Sequence, residues 1–454
     1  MFDLFLRGGT VINADGSARM DVGIADGKVA ALLPPGENAV ARTELSVADC
    51  DLLPGLVDAH VHLREPGLTH KEDFQSGTLA AAAGGVTTLL DMPTDDPWTT
   101  SADELRAKMA LASGRIHTDI GFQVVVRGDL TGLREMRSLD PVSFELFTAD
   151  VPQTFLHDTL DRVTRALQEL APLDVLVGIS PGDQSILEGE MRRGAAGPGD
   201  WAAFCASRPP LAEAAGIARA LLAAAQTGAR IHIRQINSGL GVSTWQRMRD
   251  MADASIETTP QCLFFAKEDY DKFGANLKAS PPARDKDDVA ALRKALRSGA
   301  IDIVATDHAP HGAAEKAAHY SAFADIPGGM PGVQTLLMAM LHLVDQGDIR
   351  LQDVVRLCSA NTAARFGLAG RKGAIRPGCD ADILVLDRRQ GTTIRNADQL
   401  SKAGYTPFDG LQVPWQLSRV LLRGHEIFDG HKPTQTPTGM VVKAAASFER
   451  ISRT

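Results

Sequence analysis

The chain has 454 residues, 44% of them hydrophobic and 23% charged, which allows a large buried core and excludes collagen, coiled coil and intrinsic disorder. Lys plus Arg number 47 against 56 Asp plus Glu, a formal net charge of -9 spread along the chain without a basic block. The phosphate-neutralising footprint of a nucleic-acid binder is therefore missing, and a small metabolite is the expected partner.

Residues 3 to about 53 read as short strands between Gly and Asp turns: 4–6, 11–12, 21–24 and 28–33. Asp26-Gly27 before Lys28 is a hairpin signal. The opening, Met1 to Arg7, sets Asp3 ahead of its apolar residues, so no secretory leader is expected. From Pro54 to about Leu368 the period changes. Apolar runs at 85–90, 120–126, 175–179, 231–233 and 301–305 alternate with helical stretches such as 102–112, 159–170 and 287–297. Repeated β then α over this length predicts a parallel sheet, most economically an eight-stranded barrel. The most apolar stretch, 211–229, carries Glu213 and Arg219, so no membrane span is expected. After Gly373 strand character returns, at 382–386 and 420–422.

The predicted fold is α/β: a (β/α)8 TIM-like barrel over 54–371, with a small β-sandwich domain built from both termini (1–53 and 372–440) and a tail over 441–454. Residues 189–199, rich in Gly and Arg, read as a flexible loop, and 313–325 as a candidate lid. Cysteines at 50, 205, 262, 358 and 379 are odd in number and form no CxxC pair. They read as reduced thiols of a cytoplasmic protein.

Two segments carry chemistry. Pro54-Gly55-Leu56-Val57-Asp58-Ala59-His60-Val61-His62 is a strand ending in histidines two residues apart. Residues i and i+2 share a strand face, so both imidazoles can reach one metal at the C-terminal mouth of a barrel. Ile301 to Ala305 leads into Thr306-Asp307-His308-Ala309-Pro310-His311, another apolar strand with its polar residues at the C-terminal end. Asp307 there can bind a cation through one oxygen and exchange a proton with an activated water through the other. The competing readings are structural: histidines satisfied by carbonyls, and an aspartate capping a helix.

Through these segments the sequence resembles dihydroorotases, within the cyclic amidohydrolases of the amidohydrolase superfamily that include hydantoinases and allantoinases. Besides residues 60–67 (HVHLREPG) and 306–311 (TDHAPH), the resemblance rests on Gly84-Gly85-Val86-Thr87-Thr88, Asp91-Met92-Pro93 and Gly329-Met330-Pro331-Gly332. Residues 361–368 (NTAARFGL) and 378–383 (GCDADI) extend it over nearly the whole chain. It implies a (β/α)8 barrel with a flanking β domain, metal-dependent opening of a cyclic amide or imide, and a homodimer or homotetramer.

The departures from that family pattern are specific. Where relatives often carry a carbamylated lysine bridging two metals, this chain has Glu145, and where they have two further histidines it has Ser180 and Gln235. The resemblance thus implies one divalent ion, zinc, held by His60, His62, Glu145 and Asp307, with Asp307 as the catalytic base. Arg64 and His311 match residues that hold a substrate carboxylate in the family, and a guanidinium suits bidentate carboxylate recognition. Thr94, Ser280 and Gln261 stand where dihydroorotases carry Asn, Asn and His. Together with Gln235 they are the remaining substrate-binding candidates. Gln235, Gln261 or His232 is expected to stabilise the oxyanion. The expected substrate is a cyclic amide or the corresponding ureido acid. The alternatives are a hydantoinase- or allantoinase-type amidase, and a non-catalytic homologue serving as a scaffold subunit.

Overall fold

Strands apolar along their whole length need cover on both faces, which parallel sheets wrapped by helices provide. The computed structural model describes residues 1–193 and 201–445. Its barrel strands are β1 (Leu56–Val61), β2 (Val86–Asp91), β3 (Asp119–Val125), β4 (Ser143–Phe147), β5 (Leu176–Ser180), β6 (Arg230–Ile233), β7 (Ala254–Thr258) and β8 (Ile303–Val304). Each pairs in parallel with the next in chain order. The ring closes where Val61 bridges to His308 and the His62 amide donates to the His308 carbonyl at 2.7 Å. Closure therefore joins the two segments that the sequence marks for chemistry.

The outer helices follow from capping and period. Thr159 accepts a hydrogen bond from the Arg162 amide and starts the helix Leu160–Leu170, which buries Val163, Ala166, Leu167 and Leu170. Those positions form one helical stripe facing the strands. The stretch over 211–229 becomes the helix Pro210–Thr227. Among the described residues, no helix is long and apolar enough to cross a membrane.

The terminal segments form a second, eight-stranded mixed sheet. Phe2–Asn13, Gly16–Ala25, Lys28–Leu33, Ala41–Ser46 and Cys50–Pro54 come from one end, and Ile383–Asp387, Gln416–Leu422 and His425–Phe428 from the other. Asp26 and Gly27 take φ of 51° and 74° at the hairpin turn, the positive pair that a two-residue type I′ turn demands.

Three segments differ from the sequence reading. The expected loop 189–199 is helical up to Arg193, as the end of Gln184–Arg193, and 194–200 lie outside the described residues. Of the expected tail 441–454, Val441–Val442 pairs in parallel with β3, while 446–454 lie outside the described residues. The candidate lid 313–325 is stapled down. Lys278 Nζ donates to the carbonyls of Phe323 and Ala324, both at 2.7 Å.

Candidate metal centre

The strand ends deliver three metal-ligating side chains to one point. His60 and His62 leave β1 on one face, and Asp307 follows β8. His60 Nε2 and His62 Nε2 lie 3.3 and 3.2 Å from Asp307 Oδ1. The three residues form a group whose ligand atoms all lie within 4.8 Å of one another. A tetrahedral ion with bonds of about 2.0 to 2.2 Å sets its ligand atoms about 3.4 Å apart, so the distance of each imidazole from Asp307 suits zinc. Two imidazoles and one carboxylate, with a position left open, is a donor set of catalytic rather than structural zinc sites.

Each of these candidate ligands is aimed from behind. His60 Nδ1 lies 2.6 Å from Glu257 Oε1, and His62 Nδ1 lies 2.9 Å from Thr94 Oγ1. Such bonds on the far ring nitrogen leave Nε2 bare toward a metal. Burial, partly opposed by Asp307, pushes His62 down to about 3 and keeps its imidazole neutral, as a ligand must be. Gln235 donates through Nε2 to Asp307 Oδ2.

Glu145 does not join them, which corrects the expected four-residue ligand set. It is fully buried, and its carboxylate accepts from Arg234 at 2.6 and 3.2 Å and from Ser143 Oγ at 2.5 Å. A carboxylate satisfied by a guanidinium has no reason to leave it for a metal.

The centre opens into a cavity of about 270 Å³ lined by His60, His62, Arg64, Gln235, Ser280 and Asp307 among others. One wall is apolar, with Met92, Phe147, Val151 and Leu187. Arg64 is 8% exposed; its Nη2 donates to His311 Nε2 at 3.2 Å, while its buried Nε has no hydrogen-bond partner. His311 Nδ1 is 3.2 Å from both Lys71 Nζ and Glu315 Oε2. Burial, then Arg64 and Lys71, pushes His311 down to about 3.

The other expected substrate residues divide. Ser280 lines the cavity with Oγ 3.3 Å from Asp150 Oδ2, and Gln235 lines it as Asp307's donor. Thr94 is instead the partner of His62. Gln261 is committed through Nε2 to the Thr306 carbonyl at 3.1 Å and lines a small adjoining cavity. His232 is sealed below the centre, with Nδ1 2.8 Å from Ser255 Oγ and Nε2 2.9 Å from Glu257 Oε2. Of the three oxyanion candidates only Gln235 faces the cavity.

Known proteins carry the same architecture. Residues 51–239 match the dihydro-orotase-like family and residues 265–427 the amidohydrolase family. An allantoinase from Rubrobacter xylanophilus is 34% identical over 97% of this chain and 98% of its own length. The chain belongs to the amidohydrolase family. Among its dihydroorotase-like cyclic amidohydrolases, a dihydroorotase from Halobacterium salinarum is 36% identical over 90% of this chain and 96% of its own. The L-hydantoinase of Arthrobacter aurescens superposes with a TM-score of 0.93 at 28% identity, covering 98% of this chain and all of that one. In this amidohydrolase the residue that sequence reasoning passed over is Arg234. Its signal was there to read, because an arginine closing the apolar run Ile231-His232-Ile233 must find acidic partners once buried.

Proposed function

We propose that this amidohydrolase opens the C–N bond of a carboxylate-bearing cyclic amide, using one divalent ion, zinc, at His60, His62 and Asp307. The observation that carries the reading is the pair of imidazole nitrogens at tetrahedral ligand spacing from Asp307 Oδ1, in a cavity that Arg64 also lines. When bound, such an ion supplies Lewis acidity toward water and the amide carbonyl. The rest falls to the chain. Asp307 takes the proton of the attacking water on its carboxylate and returns it to the leaving nitrogen. Gln235, bonded to Oδ2, aims that carboxylate and brings an amide N–H to the carbonyl oxygen as it gains charge. Arg64, which lines the cavity, holds the substrate carboxylate, while His311 accepts from Nη2 behind it and aims the guanidinium, and this anchor fixes the ring against the metal centre.

Metal analysis of the purified protein, with an assay of dihydroorotate, dihydrouracil, hydantoins and allantoin, tests this reading. About one zinc per chain, lost in His60→Ala and Asp307→Ala, is expected. Turnover of the carboxylated ring should be preferred, and Arg64→Met should raise its KM about 10- to 100-fold, the worth of a charge-assisted hydrogen bond. Equal turnover of carboxylated and uncarboxylated rings would overturn the substrate assignment. A chain that takes up no metal and opens none of these rings would overturn the hydrolase reading and favour the scaffold.

A further inference from the structure

Directly below the ligand triangle lies a second charged cluster that the hydrolytic reading leaves unused. Arg234, the residue after β6, is fully buried and touches neither cavity nor solvent. Its Nε and Nη2 donate to Glu145 at 3.2 and 2.6 Å, and Nη2 also to Gln123 Oε1. Nη1 donates to Glu257 Oε2 at 3.2 Å and to the Ala59 carbonyl at 2.9 Å. The guanidinium also stands over the Phe366 ring, 5.4 Å from its centroid. A planar fork with fixed donor directions fits this place, and a lysine's single ammonium does not.

Two of these bonds converge on one metal ligand. Glu257 passes from Arg234 at Oε2 to His60 Nδ1 at Oε1, and the Ala59 carbonyl belongs to the peptide that enters His60. Ring and backbone of His60 are thus both held from Arg234. The same guanidinium satisfies Glu145 and Glu257, two fully buried carboxylates that need a cation beside them. Resting on the single-ion reading above, we propose that Arg234 is a positioning residue for His60. It acts through Glu257.

The test is Zn2+ affinity of the full-length protein, by chelator competition, alongside stoichiometry and thermal unfolding. Arg234→Met and Glu257→Gln should each weaken Zn2+ binding about 10- to 100-fold, the usual effect of losing a ligand's outer partner. Because Arg234 acts through Glu257, the double variant should lose much less than the product of the single losses. Arg234→Lys should fall between wild type and Arg234→Met. Glu145→Gln leaves the Arg234 to Glu257 to His60 route in place, so it should lower Tm while keeping Zn2+ affinity within about threefold of wild type.

The proposal is overturned if folded Arg234→Lys and Arg234→Met bind Zn2+ as wild type does. It is equally overturned if the single losses multiply, or if Glu145→Gln weakens Zn2+ as much as Arg234→Met, since the network would then serve stability alone. Should Arg234→Met not fold, Arg234→Lys with Glu257→Gln and their double variant decides the same question. A wild-type protein that binds no Zn2+ would instead bring down the metal reading itself, and that outcome is visible before any variant is made.

Discussion

Four residues that line the cavity are non-glycines with left-handed backbone: Arg64 (φ 60°), Asp150 (φ 60°), Gln235 (φ 46°) and Asp307 (φ 47°). Such a conformation costs of order 1 kcal/mol or more per residue and persists where side-chain aim requires it. Arg64, Gln235 and Asp307 follow β1, β6 and β8, so the strain sits where the barrel hands its strands over to the site. Thr94 shows how a single hydroxyl orients an imidazole. Thr94→Val keeps the shape but removes the partner of His62 Nδ1, and Zn2+ affinity should fall about 10-fold or more with Tm little changed. An unaltered zinc titration would show that His62 needs no such partner. At this scale the sequence was legible where covalent spacing does the work, as in the i, i+2 pair of His60 and His62. The family resemblance makes Glu145 a metal ligand and Thr94 and Gln261 substrate residues, whereas they meet Arg234, His62 and the Thr306 carbonyl, because a chain position does not say which neighbour satisfies a side chain.

Between elements, the decisive contact is the one of β4 with β5, where Glu145 stands opposite Gly178 in the parallel ladder. A Cβ at Gly178 would lie 2.2 and 2.3 Å from the Glu145 carboxylate oxygens, so glycine supplies the room in which Glu145 meets Arg234. Gly178→Ala should cost about 1 to 3 kcal/mol through overpacking. Urea denaturation measures it, and an unchanged midpoint would mean that Glu145 moves aside freely. Helices were the most readable elements: the expected 102–112 is the observed Ala102–Ala112, capped by Ser101 on the Glu104 amide. The first strand was less so. Gly8 and Gly9 read as a break between two short strands, yet the chain runs on as Phe2–Asn13 with a shift of register between Leu6 and Gly9. A bulge and a turn share the same glycine signal until a partner strand is in place.

Across the whole molecule, the two sheets are joined by a buried ionic cluster at the start of β3. Lys372 Nζ lies 2.6 Å from both Asp119 Oδ2 and Asp382 Oδ2, and Arg423 Nη1 lies 2.7 Å from Asp119. Asp382 and Asp119 raise the pKa of Lys372 against the cost of burial, so the ammonium stays charged. Lys372→Met takes the ammonium from Asp382 and leaves Asp119 to Arg423 alone, and should destabilise the chain by about 3 to 5 kcal/mol, while one zinc per folded chain remains. Loss of zinc without loss of stability would contradict this division between joint and site.

Local pattern by itself determined the alternation that makes a barrel, the hairpin at Asp26-Gly27, and the two strand-end motifs that carry His60, His62 and Asp307. Hydrophobic period and turn chemistry are local properties, and residues spaced along one strand stay together in any fold that keeps the strand. Only the tertiary structure decided that Glu145 pairs with Arg234, that Thr94 serves His62, and that Arg64 lines the cavity with His311 behind it. Those outcomes depend on which side chains meet after the ring closes, and a buried charge goes to whichever partner best replaces its lost water.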